Sequence, residues 1–367
     1  MTENVKILAL RLLDKFDEHI SAQLILLHYN ATGVLLIYFD FGKGPIGFTG
    51  LHGAAFLGIV EIFAAALEMK EWDVNAMDIT SRTPLMWAAL RGHEGVVKAL
   101  LERGDINPNL VDDTRRLTPL SWAALMGCEG VVKVFLEQED VNPDGIGTQY
   151  NPTPLFSAAV TGNAGVIKIL LERKDVNPNW ASSWYDTTPL WVAIELGHEG
   201  AVKILLERED INPNLADTRY GYTPLSLAAK NGRERIVKML LERNDILINI
   251  RDNKNQTPQL LALSQGHNNV ARMISERAGA KSNTAGPIIQ ASLPPSAQYR
   301  ARRVAETQLR CDHPGTNPAD HISQPAPPLA DPNAWEGIPH YQGSISNWVD
   351  STMPSTESPR PPPPPLP

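Results

Sequence analysis

The tripeptide Thr-Pro-Leu begins at Thr83, Thr118, Thr153, Thr188 and Thr223, one copy every 35 residues, with Thr-Pro-Gln at Thr257 and Thr-Gly-Leu at Thr49. A period between about 20 and 50 residues marks a supersecondary unit that cannot bury its apolar face alone. Such units stack, each touching only its neighbours. An elongated array is therefore expected, with function on a surface built by repetition.

Within residues 83 to 117, Thr83 and Pro84 open a first helix carrying Leu85, Trp87, Ala88 and Ala89. Threonine suits the N-cap and proline the first helical position, where a missing N–H costs nothing. Gly92, echoed by Gly127, Gly162, Gly197, Gly232 and Gly266, is expected to end this helix in a left-handed conformation. A second helix follows, its stripe of Val96, Val97, Leu100 and Leu101 recurring as Val131, Val132, Phe135 and Leu136. Glu94, Lys98 and Glu102, spaced by four, recur too and describe a solvated face. Asp105-Ile106-Asn107-Pro108-Asn109 and its copies then turn the chain into a projecting loop.

Composition limits what lies outside the array. A net charge of -8 gives no footprint for nucleic-acid backbones. Cys128 and Cys311 are the only cysteines, so no disulfide framework or thiolate metal site is expected, and a reducing intracellular compartment fits. Charged residues interrupt the amino-terminal segment, and no uncharged run approaches a membrane span. Before the array, residues 1–47 include Val5, Leu8, Leu12, Leu13, Phe16, Ile20, Leu24 and Leu27, mostly at three- and four-residue steps, and are expected to form a helical cap. Val34 to Phe41 reads as a strand or a buried connector. Residues 281–367, holding 18 of the 30 prolines, are expected to be a disordered Pro-rich tail.

Thr-Pro-Leu, Ala-Ala, Gly-His-Glu, Leu-Leu-Glu and an Asp-Val-Asn-type turn, in that order, resemble the ankyrin repeat, with about seven units over residues 48–280. The resemblance implies an all-α repeat solenoid of helix pairs with projecting β-hairpin fingers, binding other proteins on the fingers and concave face. The leader His19-Ile20-Ser21-Ala22-Gln23, with Gly47 to Gly53 and Met69 to Asn75, is similar to the start of the ankyrin region in filamentous-fungal NACHT proteins. If that likeness holds, the nucleotide-hydrolysing NACHT module is expected to be lacking from this chain. Gly42-Lys43-Gly44 lacks the earlier glycine and the Ser or Thr of a P-loop.

Counting from Asn75 or Asn249 to the next threonine gives eight steps, and from Asn107 or Asn212 eleven. The four central fingers are thus expected to be three residues longer, and the second-helix ends one residue shorter. Insertions on one face are where partners bind. These fingers carry Arg115, Arg116, Tyr150, Trp184, Tyr185, Arg219 and Tyr220, residue types that dominate interface energetics. Packing of the rings against neighbouring fingers is the plainer alternative. Phe156 and Trp191 stand where the family usually has histidine, as at His52, and are read either as partner anchors or as inter-repeat packing. Trp87 and Trp122 are read as core.

No catalytic grouping emerges. His93-Glu94 lacks the second histidine of a zincin site, since Val97 occupies that place, and His93, His198 and His267 are read as residues bonding the backbone. No enzyme activity, metal or cofactor is expected. The expected function is a monomeric intracellular scaffold that binds protein partners, in the cytoplasm or the nucleus. The alternatives are a transcriptional co-regulator working through a DNA-binding partner, for which Arg300, Arg302 and Arg303 form a weak nuclear signal, and a truncated relative of the NACHT proteins. The terminal run Pro364-Pro365-Leu366-Pro367 is similar to ligands of WW domains and offers a second docking point.

Overall fold

The computed structural model describes residues 49–69, 72–78, 80–113, 115–145, 152–181 and 186–282. The expected amino-terminal cap and Pro-rich tail lie outside the described residues. Within them, seven helix pairs follow one another: α1 Gly50–Leu57 and α2 Val60–Met69; α3 Pro84–Arg91 and α4 Glu94–Leu101; α5 Pro119–Met126 and α6 Glu129–Leu136; α7 Pro154–Thr161 and α8 Ala164–Glu172; α9 Pro189–Leu196 and α10 Glu199–Glu207; α11 Pro224–Lys230 and α12 Glu234–Glu242; α13 Pro258–Ser264 and α14 Asn268–Ser282. First helices pack on first helices and second helices on second helices, unit after unit.

The repeated motif forms as its chemistry requires. The hydroxyl oxygens of Thr83, Thr118, Thr153, Thr188, Thr223 and Thr257 each accept from the backbone N–H three residues on, ahead of a proline at the first turn. A cap of this kind is worth about 1 kcal/mol. Gly92 closes α3 at φ 76° and reverses the chain. The leucine of each Thr-Pro-Leu is buried, as are Val96, Val131, Val166 and Ile236 of the second helices, giving one continuous core. Arg103–Asp105, Arg173–Asp175, Arg208–Asp210 and Arg243–Asp245 form forked ion pairs at the second-helix ends.

A side-chain ladder fixes the register between units. Asn75, Asn109, Asn179 and Asn214 donate from Nδ2 to the carbonyls of Asp105, Asp140, Asp210 and Asp245. Their Oδ1 atoms accept the N–H of Asn107, Asn142, Asn212 and Leu247. Asn75 therefore corresponds to Asn109, not to Asn107.

That correspondence corrects the expected finger lengths. From the ladder residue to the next threonine there are eight steps in the first and sixth units and nine in the middle four, while threonine to glycine is always nine and glycine to ladder residue always 17. The insertion is one residue, wholly within the finger, and the second-helix ends are not shortened. Short fingers close with Ser81 N–H to Asp78 O and Asn255 N–H to Asp252 O; long ones close one residue later, with Arg116 N–H to Asp112 O and Gly221 N–H to Asp217 O. The fingers are turns, with no strand among the described residues.

Candidate functional site

In three units the third residue after the opening threonine bonds the base of the next finger. His52 Nε2 lies 3.0 Å from Ala76 O and 3.1 Å from Arg82 O, Ser121 Oγ donates to Pro152 O at 3.3 Å, and Trp191 Nε1 donates to Tyr222 O at 3.1 Å. Three unlike side chains thus bond the carbonyl that precedes the next threonine. Phe156 and Trp191 are each 6% exposed. Of the two expected readings, partner anchor and inter-repeat packing, this burial accords with packing of the rings between units.

One position later, Trp87 and Trp122 are core, as expected, yet both keep a polar task. Their indole N–H groups donate to Asp78 and Asp112 at 2.9 and 3.0 Å. Asp112 also accepts the N–H of Arg115 and Leu117, and Asp217 those of Tyr220 and Tyr222, so each carboxylate gathers its finger into shape. Burial pushes the Asp217 carboxyl up, against the lowering effect of those N–H donors. Arg82, 3% exposed, places its guanidinium 5.3 Å from the Trp87 ring and 4.6 Å from that of Trp122. Sequence reading missed this arginine because its register neighbours, Leu117, Pro152, Thr187, Tyr222 and Gln256, share no chemistry with it.

Of the expected finger stripe, Tyr150, Trp184 and Tyr185 lie outside the described residues. Arg115 sits 5.6 Å from the Trp122 ring, on the finger's own unit boundary. Arg116 holds φ 60° at the turn and lies 4.0 Å from Asp113. At the fifth finger the geometry is richest. Tyr220 is 41% exposed and stacks on the buried Tyr222, with ring centroids 5.3 Å apart and planes 22° apart. Arg219 lies 4.9 Å from the Tyr220 ring, while Lys230 Nζ on α11 is 5.0 Å from Tyr222 and 5.9 Å from Tyr220.

Glu195 on α9 completes this cluster. Burial pushes its carboxyl up, while the Lys230 charge draws it back down. Glu195 and Lys230 occupy the register position held by Phe56, Leu90, Leu125 and Val160 in the first four units, all buried. A charge appearing where four units are apolar was the available sequence signal, and counting finger lengths had passed over it. Arg219, Tyr220, Lys230 and Glu195 thus form an amphipathic patch across the fifth finger and two first helices.

His93 Nε2 and His198 Nε2 face Phe56 O and Val160 O at 2.9 and 3.0 Å and carry the proton there, so both bond the backbone of the preceding unit. Among the described residues there is no cluster of three metal-ligating side chains, and no helix long and apolar enough to cross a membrane. Burial pushes the Cys128 thiol up, away from reactivity. The Pro364-Pro365-Leu366-Pro367 run lies outside the described residues.

A family model described as ankyrin repeats (3 copies) matches residues 51–145, 140–217 and 209–285, well over half of the chain. The chain belongs to the ankyrin-repeat family. The array is also similar to the crystal structure of the human ASB11 ankyrin repeat domain, at a TM-score of 0.51 and 25% identity, over 65% of this chain and 99% of that one. Ankyrin arrays are generally protein–protein interaction modules.

Proposed function

We propose that this ankyrin array is a non-catalytic scaffold that binds a protein partner through its central fingers and the adjoining first helices. The observation that carries the reading is Tyr220: a large ring, 41% exposed, held against a buried neighbour instead of folded into the core. Tyrosine and arginine at exposed, pre-ordered sites lose little rotational freedom on binding and are enriched among energetic anchors. Arg219 and Lys230 give the patch polar reach around its apolar centre, and Glu195 adds an acceptor. Tyr150, Trp184 and Tyr185 extend the same surface in this reading, since Tyr150, Tyr185 and Tyr220 share one repeat position.

The test uses the full chain in its native host. Quantitative affinity purification of the wild type is compared with a Tyr220→Ser/Lys230→Ser variant, each first checked by thermal unfolding. Loss of at least ten-fold of the co-purifying partner, with the unfolding midpoint kept within a few degrees, is the expected result. Equal recovery from the folded variant overturns the assignment of this patch. A chain ending at Ala280, run alongside, separates the array's partner from one held by the proline run.

A further inference from the structure

Positive charge gathers around the fifth finger as it does at no earlier one in the same register. Arg219 stands where the earlier long fingers carry Thr114, Gln149 and Trp184. Lys230 stands where the first four units are apolar, and Arg233 follows a turn glycine where the five earlier units carry Ile59, His93, Cys128, Asn163 and His198. The chain as a whole has a net charge of -8, so this local excess runs against its background.

The geometry leaves that charge available. Arg219 lies 4.9 Å from the Tyr220 ring and Lys230 Nζ 5.0 Å from that of Tyr222. An aromatic face attracts a cation without neutralising it. Arg233 is exposed and lies over the preceding turn, where a Cβ built on Gly197 would stand 2.7 Å from its guanidinium carbon. Neither Lys230 nor Arg233 forms an ion pair among the described residues. The carboxylates nearby do not cancel the excess. Burial pushes the Glu195 carboxyl up, although Lys230 and Arg233 both draw it down. Asp217 is 1% exposed and commits its oxygens to the N–H groups of Tyr220 and Tyr222. Glu199 is paired with Arg235, and Glu234 accepts from Asn269.

The backbone under the patch is also held. Tyr220 O accepts from the Asn253 N–H at 2.9 Å, and Arg219 O from Asn253 Nδ2 at 3.1 Å. A pre-ordered cationic surface around an exposed ring loses little freedom on binding, and it selects for opposite charge. A guanidinium fork matches a carboxylate. Resting on the reading of this patch as a protein-binding site, we propose that the partner presents an acidic segment. Its carboxylates meet Arg219, Lys230 and Arg233, and an apolar side chain lies on Tyr220. A nucleic-acid strand is the poorer match, because the chain's net negative charge repels phosphates that extend past the three cations.

Fluorescence anisotropy of the full chain with two short labelled peptides tests this, one with phenylalanine between glutamates and one with phenylalanine between glutamines. The glutamate peptide is expected to bind at least ten-fold tighter at low salt, an advantage that shrinks as salt is added. Lys230→Leu/Arg233→Asn introduces residues that other units carry at these positions, Leu125 and Asn163, so the fold accommodates it. This variant is expected to lose the glutamate preference and keep its unfolding midpoint. Arg219→Thr, which copies Thr114 of the second finger, is expected to weaken the glutamate peptide several-fold by itself. Equal binding of the two peptides overturns the proposal, as does a glutamate peptide that fails to bind or a preference that survives in the folded double variant. A single-stranded oligonucleotide that binds as tightly as the glutamate peptide overturns it in favour of nucleic acid. The two readings fail separately. Equal partner recovery from the folded Tyr220→Ser/Lys230→Ser variant removes the patch, whereas lost recovery without a glutamate preference keeps the patch and overturns only the acidic partner.

Discussion

His52 Nδ1 faces the N–H of Thr49 at 3.1 Å, while Nε2 faces two carbonyls. The ring is satisfied as a neutral Nε2–H tautomer, its Nδ1 accepting from the Thr49 N–H and lying 2.9 Å from the Thr49 hydroxyl. Burial lowers its pKa from the ordinary 6.5, and Asp78 only partly opposes this. As pH falls below about 6.5, the unfolded chain takes up this proton before the folded one does, so stability present at neutral pH is lost on acidification. The slope reaches about 1.4 kcal/mol per pH unit in that window. Thermal unfolding between pH 7 and pH 5 is expected to show a flatter pH dependence for His52→Gln than for wild type. Subtracting the two curves removes the contributions of Glu195 and Asp217, whose raised pKa values act with the opposite sign. Parallel curves would show that His52 carries no part of the acid response. Little of this was visible in the sequence, where His52 reads as a family histidine. Its partners, Ala76 and Arg82, come from a finger 24 and 30 residues away.

In the fingers, one inserted residue changes which backbone N–H closes the turn, and a positive φ marks the same place in both classes: Ser81 at 57° and Asn255 at 63°, Arg116 at 60°, Asp186 at 56° and Gly221 at 73°. Only Gly221 has no Cβ to crowd. A left-handed non-glycine residue costs roughly 1–2 kcal/mol, offset in part by the extra entropy glycine loses on folding. Arg116→Gly is therefore expected to stabilise the array by up to about 1 kcal/mol in urea unfolding. Gly221→Ala is expected to do the reverse, and by more. Its new methyl would lie 2.6 Å from Asn253 Oδ1 and 3.0 Å from the Asn253 backbone nitrogen, which donates to Tyr220 O. If Gly221→Ala leaves both the midpoint and partner recovery untouched, the fifth finger is softer than its bonding indicates. The helices themselves were legible because threonine, proline and glycine act locally. The finger length was misread because Asp73-Val74-Asn75 matches Asp105-Ile106-Asn107 letter for letter in type, while the bonds that define the register run from Asn109.

Across the whole array, stability is a sum of unit energies and nearest-neighbour seams, so one weak seam sets where the molecule opens. Two ladders stitch the seams. One is the asparagine ladder. The other runs along the second-helix ends, where Arg173 donates to Leu136 O, Arg208 to Leu171 O, Arg243 to Leu206 O and Arg277 to Leu241 O. Both change in the third unit. Asp144 replaces the ladder asparagine: it still accepts Asn177 N–H, but an ionised carboxylate has no hydrogen to offer Asp175 O. Gln138 replaces the arginine and lacks the forked donor that bonds a carboxylate and a carbonyl together. Both seams of residues 118–152 are thereby weakened relative to those that follow. Hydrogen exchange is expected to be faster in α5 and α6 than in α9 to α12. Asp144→Asn/Gln138→Arg is expected to slow it and to raise stability by about 1 kcal/mol for each bond restored. Because the third unit joins the first two to the rest, the double variant is also expected to sharpen a broad denaturant transition. A wild-type array that already unfolds in one steep step, with uniform exchange from α3 to α12, would show that core packing alone holds this joint. The weak unit also opens onto the fingers proposed to bind, so partner binding and opening of residues 118–152 draw on the same free energy.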